Sequence, residues 1–371
     1  MAESMSKTIE MQTPYEKWQE KEGIRSHKGF AADLNTIDVD LWSRKAAKGA
    51  FINLADQETL DAYVLEIPPG GKTAPQRQMF EEAIYVVSGR GATTVWYDGL
   101  PKRTFEWQAG SLFSPPLNAW HEHYNGSGDM PARYVAVTSA PHMINLFHDT
   151  EYIFNNPYVF SNRFPGEENY FSGEGVRLTV KLPESERART KNRTENYWKT
   201  NFMADVPNFN ALAEQKHMFG EGRARIIFFG LSDNTMSGHI LEFVSGSYKK
   251  AHRHGPGAHI IILSGSGYSL VWPECGEVSR VDWKPGVIIS PPDMWYHQHF
   301  ATGKAPARHL ALRWGSLEYP GVTNWRKYQE NFGEQIEYED EDPSIRETFI
   351  RECVANGVEV RMDAVVYRPR K

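Results

Sequence analysis

The chain repeats one pattern of glycine, proline and histidine at a constant offset. The first copy reads Gly70-x5-Gln76-Arg77-Gln78-x3-Glu82-x6-Gly89, then Gly110-x5-Pro116-x4-His121. The second copy reads Gly246-x5-His252-Arg253-His254-x3-Ala258-x6-Gly265, then Gly286-x5-Pro292-x4-His297. Corresponding anchors, such as Gln76 and His252, are all 176 positions apart. A fixed internal offset predicts two copies of one structural unit.

Short apolar segments bounded by turn residues fill both copies. They include 62–67, 83–87, 92–97 and 132–138, and then 239–243, 259–263, 268–272 and 310–313. Many short strands at close spacing are typical of sandwiches and barrels. We therefore predict an all-β chain of two jelly-roll-like barrels in tandem. The predicted units are an N-terminal arm (1–55), barrel one (56–140), a connector with helical parts (141–220), barrel two (221–316) and a helical tail (317–371).

The tail carries a helix signal. Asp342-Pro343 is a typical helix start, and an apolar stripe follows at Ile345, Phe349, Ile350 and Val354. We expect this stripe to pack against a barrel.

Composition excludes several classes of partner. The net charge is −6, so a nucleic acid or an anionic membrane gains no electrostatic attraction. No run of about 18 apolar residues occurs, which predicts no membrane span. The two cysteines, Cys275 and Cys353, form no CxxC pair, and the first 22 residues lack an apolar signal core. We predict a cytoplasmic protein, and barrel edges with apolar terminal arms favour a homo-oligomer.

The second copy carries a candidate metal site. Residues two apart in a strand face the same side, so His252 and His254 offer two imidazoles to one interior. His297 comes from a later strand and supplies a third. Imidazole suits iron, zinc, nickel and related metals, and three ligands leave positions open for water, substrate or dioxygen. The alternative, ordinary polar histidines, is disfavoured by their matched places in the repeat.

These motifs resemble the cupin signature, and the two copies make the chain similar to a bicupin over about 60–140 and 235–315. Ala258 stands where cupins usually have glutamate. The segment Ala251-His252-Arg253-His254 resembles gentisate-type ring-cleaving dioxygenases, the group acting on gentisate, 1-hydroxy-2-naphthoate or salicylate. Those are bicupins with a three-histidine ferrous centre and a small residue at the glutamate position. They carry the metal in the first cupin, whereas here the full triad lies in the second.

The resemblance implies a cofactor and a reaction. Fe(II) is expected first, with Mn, Zn or Ni as alternatives, and the partners are a small-molecule substrate and dioxygen. The leading hypothesis is an Fe(II) dioxygenase that cleaves a hydroxylated aromatic or enolic carboxylate. One alternative is a non-oxidative metal cupin: a lyase, hydrolase or isomerase. A second alternative is a small-molecule binding bicupin without catalysis.

Two further histidines have open roles. His259 becomes a fourth ligand if the loop after His254 has four residues, whereas the 176 offset and strand alternation point it away. His299, two beyond His297, either faces the cavity as a proton donor or acceptor or is a hydrogen-bonded core histidine.

Residues flanking the ligands are candidates for substrate contact. The apolar candidates are Trp272, Met294, Trp295 and Tyr296. Arg253, Arg313 and Arg225 are candidates for a carboxylate clamp, since a guanidinium binds carboxylate bidentately. Arg253 is also a candidate for a catalytic role or for orienting the ligands.

The first copy has a degenerate site. Gln76 and Gln78 replace the chelating pair, while Glu82 and His121 remain. Amides are poor ligands for borderline metals. A weak metal site is one interpretation, and an unmetallated pocket that pairs with the other barrel is the favoured one.

Overall fold

The computed structural model describes residues 11–180, 195–214, 219, 222–255, 257–319 and 335–369. Within these ranges, strands dominate and form two large and two small sheets. Each large sheet faces one small sheet across a buried interior, which gives two barrels and confirms the predicted all-β fold.

Barrel one consists of a large and a small sheet. Among the described residues, the large sheet has eight strands, in the order β1-β4-β5-β11-β6-β9-β14 with β3 beside β4. Their bounds are β1 Ser26–Gly29, β3 Asp40–Trp42, β4 Ala47–Leu54, β5 Asp61–Ile67, β6 Glu82–Ser88, β9 Leu112–Phe113, β11 Ala132–Thr138 and β14 Phe202–Met203. The small sheet, in the order β10-β7-β8, comprises β7 Arg90–Trp96, β8 Arg103–Gln108 and β10 Trp120–Asn125.

Barrel two repeats this plan. Its large sheet runs β12-β13-β16-β17-β24-β19-β22-β2, with β15 beside β16, and its small sheet runs β18-β23-β20-β21. The bounds in the large sheet are β2 Ala31–Asp33, β12 Gly175–Val180, β13 Glu195–Thr200, β15 Ala213–Glu214, β16 Ala224–Leu231, β17 Met236–Phe243, β19 His259–Ser264, β22 Val287–Ile289 and β24 Ala307–Trp314. Those in the small sheet are β18 Ser247–Tyr248, β20 Gly267–Trp272, β21 Ser279–Trp283 and β23 Tyr296–Ala301. The 176 offset carries β4 onto β16, β6 onto β19 and β10 onto β23.

The repeated glycines mark tight crossings between strands. Gly89 has φ +86° and Gly265 has φ +76°, a left-handed region that favours glycine. A Cβ at either position would lie 2.7 Å from the Cα of Ala132 or Ala307 respectively. A side chain at either glycine would therefore separate the ends of two paired strands.

The two barrels share an apolar core between their large sheets. Strand alternation sends Val64 and Val135 outward from barrel one, and Ile227, Ile240 and Leu310 outward from barrel two, into one buried cluster. Burying one such side chain contributes roughly 1.5–3 kcal/mol. The opposite faces of the same strands line the barrel interiors.

The large sheet of each barrel includes strands from segments outside its repeat. β2, from the N-terminal arm, pairs with β22 of barrel two, while β1 of the same arm pairs with β4 of barrel one. β14, from the connector, pairs with β9 of barrel one. These exchanged strands cover sheet edges that would otherwise offer free backbone groups.

The unit boundaries differ somewhat from those predicted. β4 already belongs to barrel one, so that barrel begins near residue 47 rather than 56. The connector holds the helices α2 Ala140–Phe147 and α3 Thr150–Phe154, but it also supplies strands β12 to β15. The arm contains α1 Pro14–Glu22 and a short 3-10 helix, Ser43–Lys45.

The C-terminal helix α4 spans Pro343–Ala355, with Asp342 capping its first turn. Phe349 and Cys353 are fully buried against the outer face of the small sheet of barrel two. Val354, expected in the apolar stripe, is instead 71% exposed, and Ile350 is also exposed, because the buried stripe runs through positions 345, 349 and 353.

Cys353 is a free thiol, as is the exposed Cys275. None of the helices in the described ranges has the length and apolar character needed to cross a bilayer.

Candidate metal centre

The three histidines of the second copy meet inside barrel two. His252 forms a β-bridge with His297 of β23, and their backbones exchange hydrogen bonds of 3.2 and 2.9 Å. His254 follows two residues later, and its carbonyl accepts from Met294 N at 3.0 Å. The ring centroids of His252 and His297 are 4.2 Å apart, and those of His254 and His297 are 5.0 Å apart. Pairing across the barrel thus joins two ligands, His252 and His297, that are 45 positions apart in the chain.

The donor set fits a metal ion. One ring nitrogen from each of His252, His254 and His297 lies within 4.8 Å of the other two. Nδ1 of His252 lies 3.1 Å from the Lys250 carbonyl, and Nδ1 of His297 lies 3.2 Å from the Trp295 carbonyl. A carbonyl only accepts, so these Nδ1 atoms carry the hydrogen and the Nε2 lone pairs are left for a metal.

The triad is held in its neutral form. Burial lowers the pKa of His297 to about 3, with a further contribution from Lys249. Burial also lowers the pKa values of His252 and His254 well below their usual range, with Lys249 and neighbouring histidines adding to the effect. Only deprotonated imidazole binds a metal, so the site is ready for one at neutral pH.

His259 does not join the triad. It begins β19, and its neighbours Ala258 and Ile260 point into barrel two while Ile261 points to the shared core. Alternation sends His259 to the side of Ile261, where its Nδ1 lies 3.1 Å from the Ser290 hydroxyl. The fourth-ligand interpretation therefore finds no geometric support.

His299 lies beside the triad within a hydrogen-bonded motif. Its Nδ1 lies 2.7 Å from the Ser269 hydroxyl, which accepts from Trp283 Nε1 at 3.1 Å. Barrel one repeats the motif at the 176 offset, with His123 Nδ1 2.8 Å from the Thr93 hydroxyl. Because the motif also occurs where the triad is missing, it supports the barrel itself, and His299 is a hydrogen-bonded interior residue.

Three of the candidate substrate contacts lie on the wrong face. In the register of β20 and β23, Val271 pairs with His297 and Trp272 pairs with Tyr296. The Trp272 and Tyr296 rings stack 5.7 Å apart outside the barrel, and the Arg253 guanidinium lies 4.7 Å above Tyr296. Strand alternation thus turns all three away from the triad.

The remaining candidates divide in two. Met294 and Trp295 stay at the rim of the triad through their backbone contacts to His254 and His297. Arg313, on β24, lowers the pKa of His254 through its charge and so lies near it. Arg225, by contrast, lies on β16, is half exposed and pairs with Glu242.

The sequence reading missed a lysine inside barrel two. Lys249 contributes to the lowered pKa values of all three triad histidines. Its own pKa is lowered to about 7, first by burial and then by the charge of Arg313. The only sequence signal for this lysine was its position three residues before His252. The backbone pairing that turns its side chain inward is visible only in the structure.

In barrel one, residues at and near the equivalent positions form an ionic network. Gln76 occupies the place of His252 and pairs with His121 as His252 pairs with His297. Glu82 Oε1 lies 3.1 Å from His121 Nε2, and Glu82 Oε2 accepts from Tyr63 Oη at 2.7 Å. Lys45 Nζ donates to the same Tyr63 oxygen at 3.2 Å.

The charges in this network compensate each other. Burial alone would raise the pKa of Glu82, but His121 and Lys45 outweigh it and hold that pKa well below its usual range. Burial lowers the pKa of Lys45 to about 8, although Glu82 opposes this shift. The carboxylate and the ammonium compensate each other's charge through Tyr63, so neither group needs a metal ion to balance it.

The cavity above this network is closed by other parts of the chain. Gln76 Nε2 donates to the Arg44 carbonyl at 3.4 Å, and Gln78 is buried. Tyr15 and Trp18 of α1 line the same cavity, and Tyr15 Oη donates to Asp61 at 2.8 Å. These contacts favour the unmetallated interpretation of barrel one.

Comparisons with known proteins agree with this architecture. Residues 63–138, which lie in barrel one, match the family model described as a cupin domain. No curated protein matches the chain.

Several solved structures are similar in arrangement but distant in sequence. Oxalate decarboxylase from Lactobacillus farciminis, as a formate complex, is 13% identical with a TM-score of 0.48, covering 81% of this chain and 90% of that one. Oxalate decarboxylase from Bacillus subtilis at pH 4.6 is 11% identical with a TM-score of 0.47, covering 85% and 86%. Vicilin from Corylus avellana (hazelnut) is 10% identical with a TM-score of 0.45, covering 77% and 86%. The cupin domain and its repeat in barrel two support a bicupin, and the gentisate-type resemblance stays a prediction.

Proposed function

We propose that barrel two is the active site of a metal-dependent enzyme acting on a small anionic substrate that chelates the metal through two oxygen atoms. The observation that carries this proposal is a buried set of three neutral imidazoles, with donor atoms within 4.8 Å and without the usual cupin carboxylate. A neutral ligand set leaves the positive charge of a divalent ion uncompensated, which favours an anionic ligand.

His252, His254 and His297 would hold the metal, with Fe(II) the first candidate and Mn, Zn or Ni as alternatives. When bound, it would act as a Lewis acid and, in the case of iron, allow electron density to pass from substrate to dioxygen. The protein contributes orientation: backbone carbonyls fix two of the rings, and burial of His252 and His297 to 1% and 4% exposure keeps water away.

The first candidate reaction is cleavage of a hydroxylated aromatic or enolic carboxylate by dioxygen. Anaerobic reconstitution with Fe(II), followed by oxygen uptake on gentisate, salicylate, 1-hydroxy-2-naphthoate and 4-hydroxyisophthalate, which is a salicylate with a second carboxylate, tests it. We expect uptake with at least one acid, and its loss in His252→Ala, which removes a ligand. The matched control is Gln76→Ala at the equivalent position of barrel one, which should keep activity. Stoichiometric iron without uptake on any of these acids would count against this reaction.

The second candidate reaction is non-oxidative, such as a lyase or a decarboxylase. Lys249 favours it, because these reactions need a proton donor or acceptor and burial lowers the pKa of this ammonium to about 7, near the working pH. Turnover of the same acids without oxygen, followed by NMR, would decide for it. Ligand binding with no turnover under either condition would instead identify a binding protein.

A further inference from the structure

We propose that Lys249 binds the substrate in barrel two, and that the substrate therefore carries a second anionic group beyond the oxygens that chelate the metal. This inference rests on the proposed function and deepens it. The substrate class it names is a hydroxy- or keto-carboxylate with an additional carboxylate.

The strand register fixes the direction of Lys249. In β18, Tyr248 pairs with Phe300 and packs outward against α4. Lys249 comes next, and its backbone N donates to the His299 carbonyl at 2.9 Å. Alternation then points Lys249 into the barrel and Lys250 out of it, where Lys250 Nζ donates to Glu337. The two adjacent lysines thus lie on opposite sides of the extended segment that follows β18.

The Lys249 ammonium lies within electrostatic reach of the whole interior. Its charge contributes to the lowered pKa of the triad histidines, and also to those of His299, His309 and His239. These rings lie on β17, β23 and β24, so the ammonium acts electrostatically on side chains from three strands of the barrel.

The cation lacks an internal partner of the kind that Lys45, the buried lysine of barrel one, has. There, Lys45 is compensated by Glu82 through Tyr63. The position equivalent to Glu82 in barrel two is Ala258, and within the described ranges no carboxylate forms an ion pair with Lys249. Lys249 is half-buried, and a charge that is partly removed from water without a counter-ion is unfavourable unless a ligand supplies one. Arg313 raises the local positive potential further.

An experiment with paired probes tests this role. Lactate and malate share one hydroxy-carboxylate chelating unit, and malate adds a second carboxylate. Both are titrated calorimetrically into the full-length protein, metal-free and loaded with Co(II), whose visible spectrum reports ligand exchange at the histidines. The variants are Lys249→Met and Lys249→Arg, with Lys250→Met as the matched control and Lys249→Gln in reserve if the methionine variant fails to fold.

We expect the wild type to prefer malate over lactate about tenfold or more, which is the scale of one charge-assisted pair. Lys249→Met should remove this preference by weakening malate about tenfold more than lactate, since only malate loses a direct partner for its second carboxylate. Lys249→Arg should retain the preference for malate, and Lys250→Met should leave the affinity for both ligands unchanged. An unchanged preference in Lys249→Met and Lys249→Gln overturns the inference.

The same experiment distinguishes a failure of the proposed metal centre from a failure of the Lys249 inference. Failure of Co(II) to load at the histidines would overturn the metal centre. A preference for malate that depends on Lys249 in metal-free protein would still uphold the inference. Normal loading with a preference that ignores Lys249 would overturn the inference alone.

Discussion

Removal of the Glu82 charge should destabilise barrel one, and removal of Lys45 should restore much of the loss. In the wild type, Tyr63 Oη lies 3.2 Å from Lys45 Nζ and 2.7 Å from Glu82 Oε2. Glu82→Gln keeps the size and one oxygen but leaves the ammonium of Lys45 buried without its counter-charge. Lys45→Met removes that charge while filling similar space.

The distances set the expected magnitude. The ammonium and the carboxylate are separated by at most about 6 Å through the Tyr63 oxygen. At an effective dielectric constant near 20, this separation gives an attraction of about 3 kcal/mol. Removing one partner of a buried pair costs roughly 3–5 kcal/mol. The double variant should therefore be less destabilised than the sum of the single variants by about 2–3 kcal/mol.

Urea unfolding of the four proteins in the double-mutant cycle measures this coupling. Lys48→Met, which changes an exposed lysine on β4 of the same barrel, is the matched control and should lie within about 0.5 kcal/mol of wild type. The metal content of barrel two should be the same in all variants. Strict additivity of the two single variants would refute a compensating pair, as would a neutral Glu82→Gln.

Two further changes have expected outcomes. Chelation of the metal should lower the melting temperature of wild type by scanning fluorimetry, with re-addition restoring it, because a ligand at a hundredfold excess over its Kd stabilises by about 2.7 kcal/mol; His252→Ala should show no such shift. Burial raises the pKa of Asp61 to about 7 from 3.8, so the folded state holds this proton more tightly. The protonated carboxyl therefore contributes fully to the free energy of unfolding below about pH 4. This contribution, about 4 kcal/mol, is lost as the pH rises to about 7. Asp61→Asn should flatten the pH dependence of the free energy of unfolding over this range.

The repeat made the barrels and the triad predictable. Four anchors at one offset, together with strands at close spacing, specify two barrels before any contact is known. The His-x-His pair and His297 lie at fixed places in that repeat, so the triad followed from position. The positions of Gln76, Gln78, Glu82 and His121 were likewise predictable, whereas Lys45, which compensates Glu82, comes from the arm outside the repeat.

The residues that face the interior beside the triad are harder to predict. Closeness to a ligand in the sequence does not tell which side of the strand a residue faces, because side chains alternate between the two sides. Tyr296 adjoins His297, yet adjacent strand residues face opposite sides, so Tyr296 and Trp272 stack outside. Lys249 was overlooked for the converse reason: it is three residues from His252, across an irregular stretch with a single β-bridge. Arg225 was proposed from charge alone, and its pairing with Glu242 depends on the register of β16 and β17.

The two barrels differ in how the charges in their interiors are balanced. A polar barrel interior must balance its buried charges, and barrel one does so internally, with Lys45 and Glu82 joined through Tyr63 and the mouth covered by α1. Barrel two has Ala258 where barrel one has Glu82, and it contains three histidines and Lys249. A bound metal ion would add positive charge to this interior, and the anionic substrate of the proposed function would balance it. Under the proposed function, alanine at position 258 would thus both remove a carboxylate ligand and favour an anionic substrate.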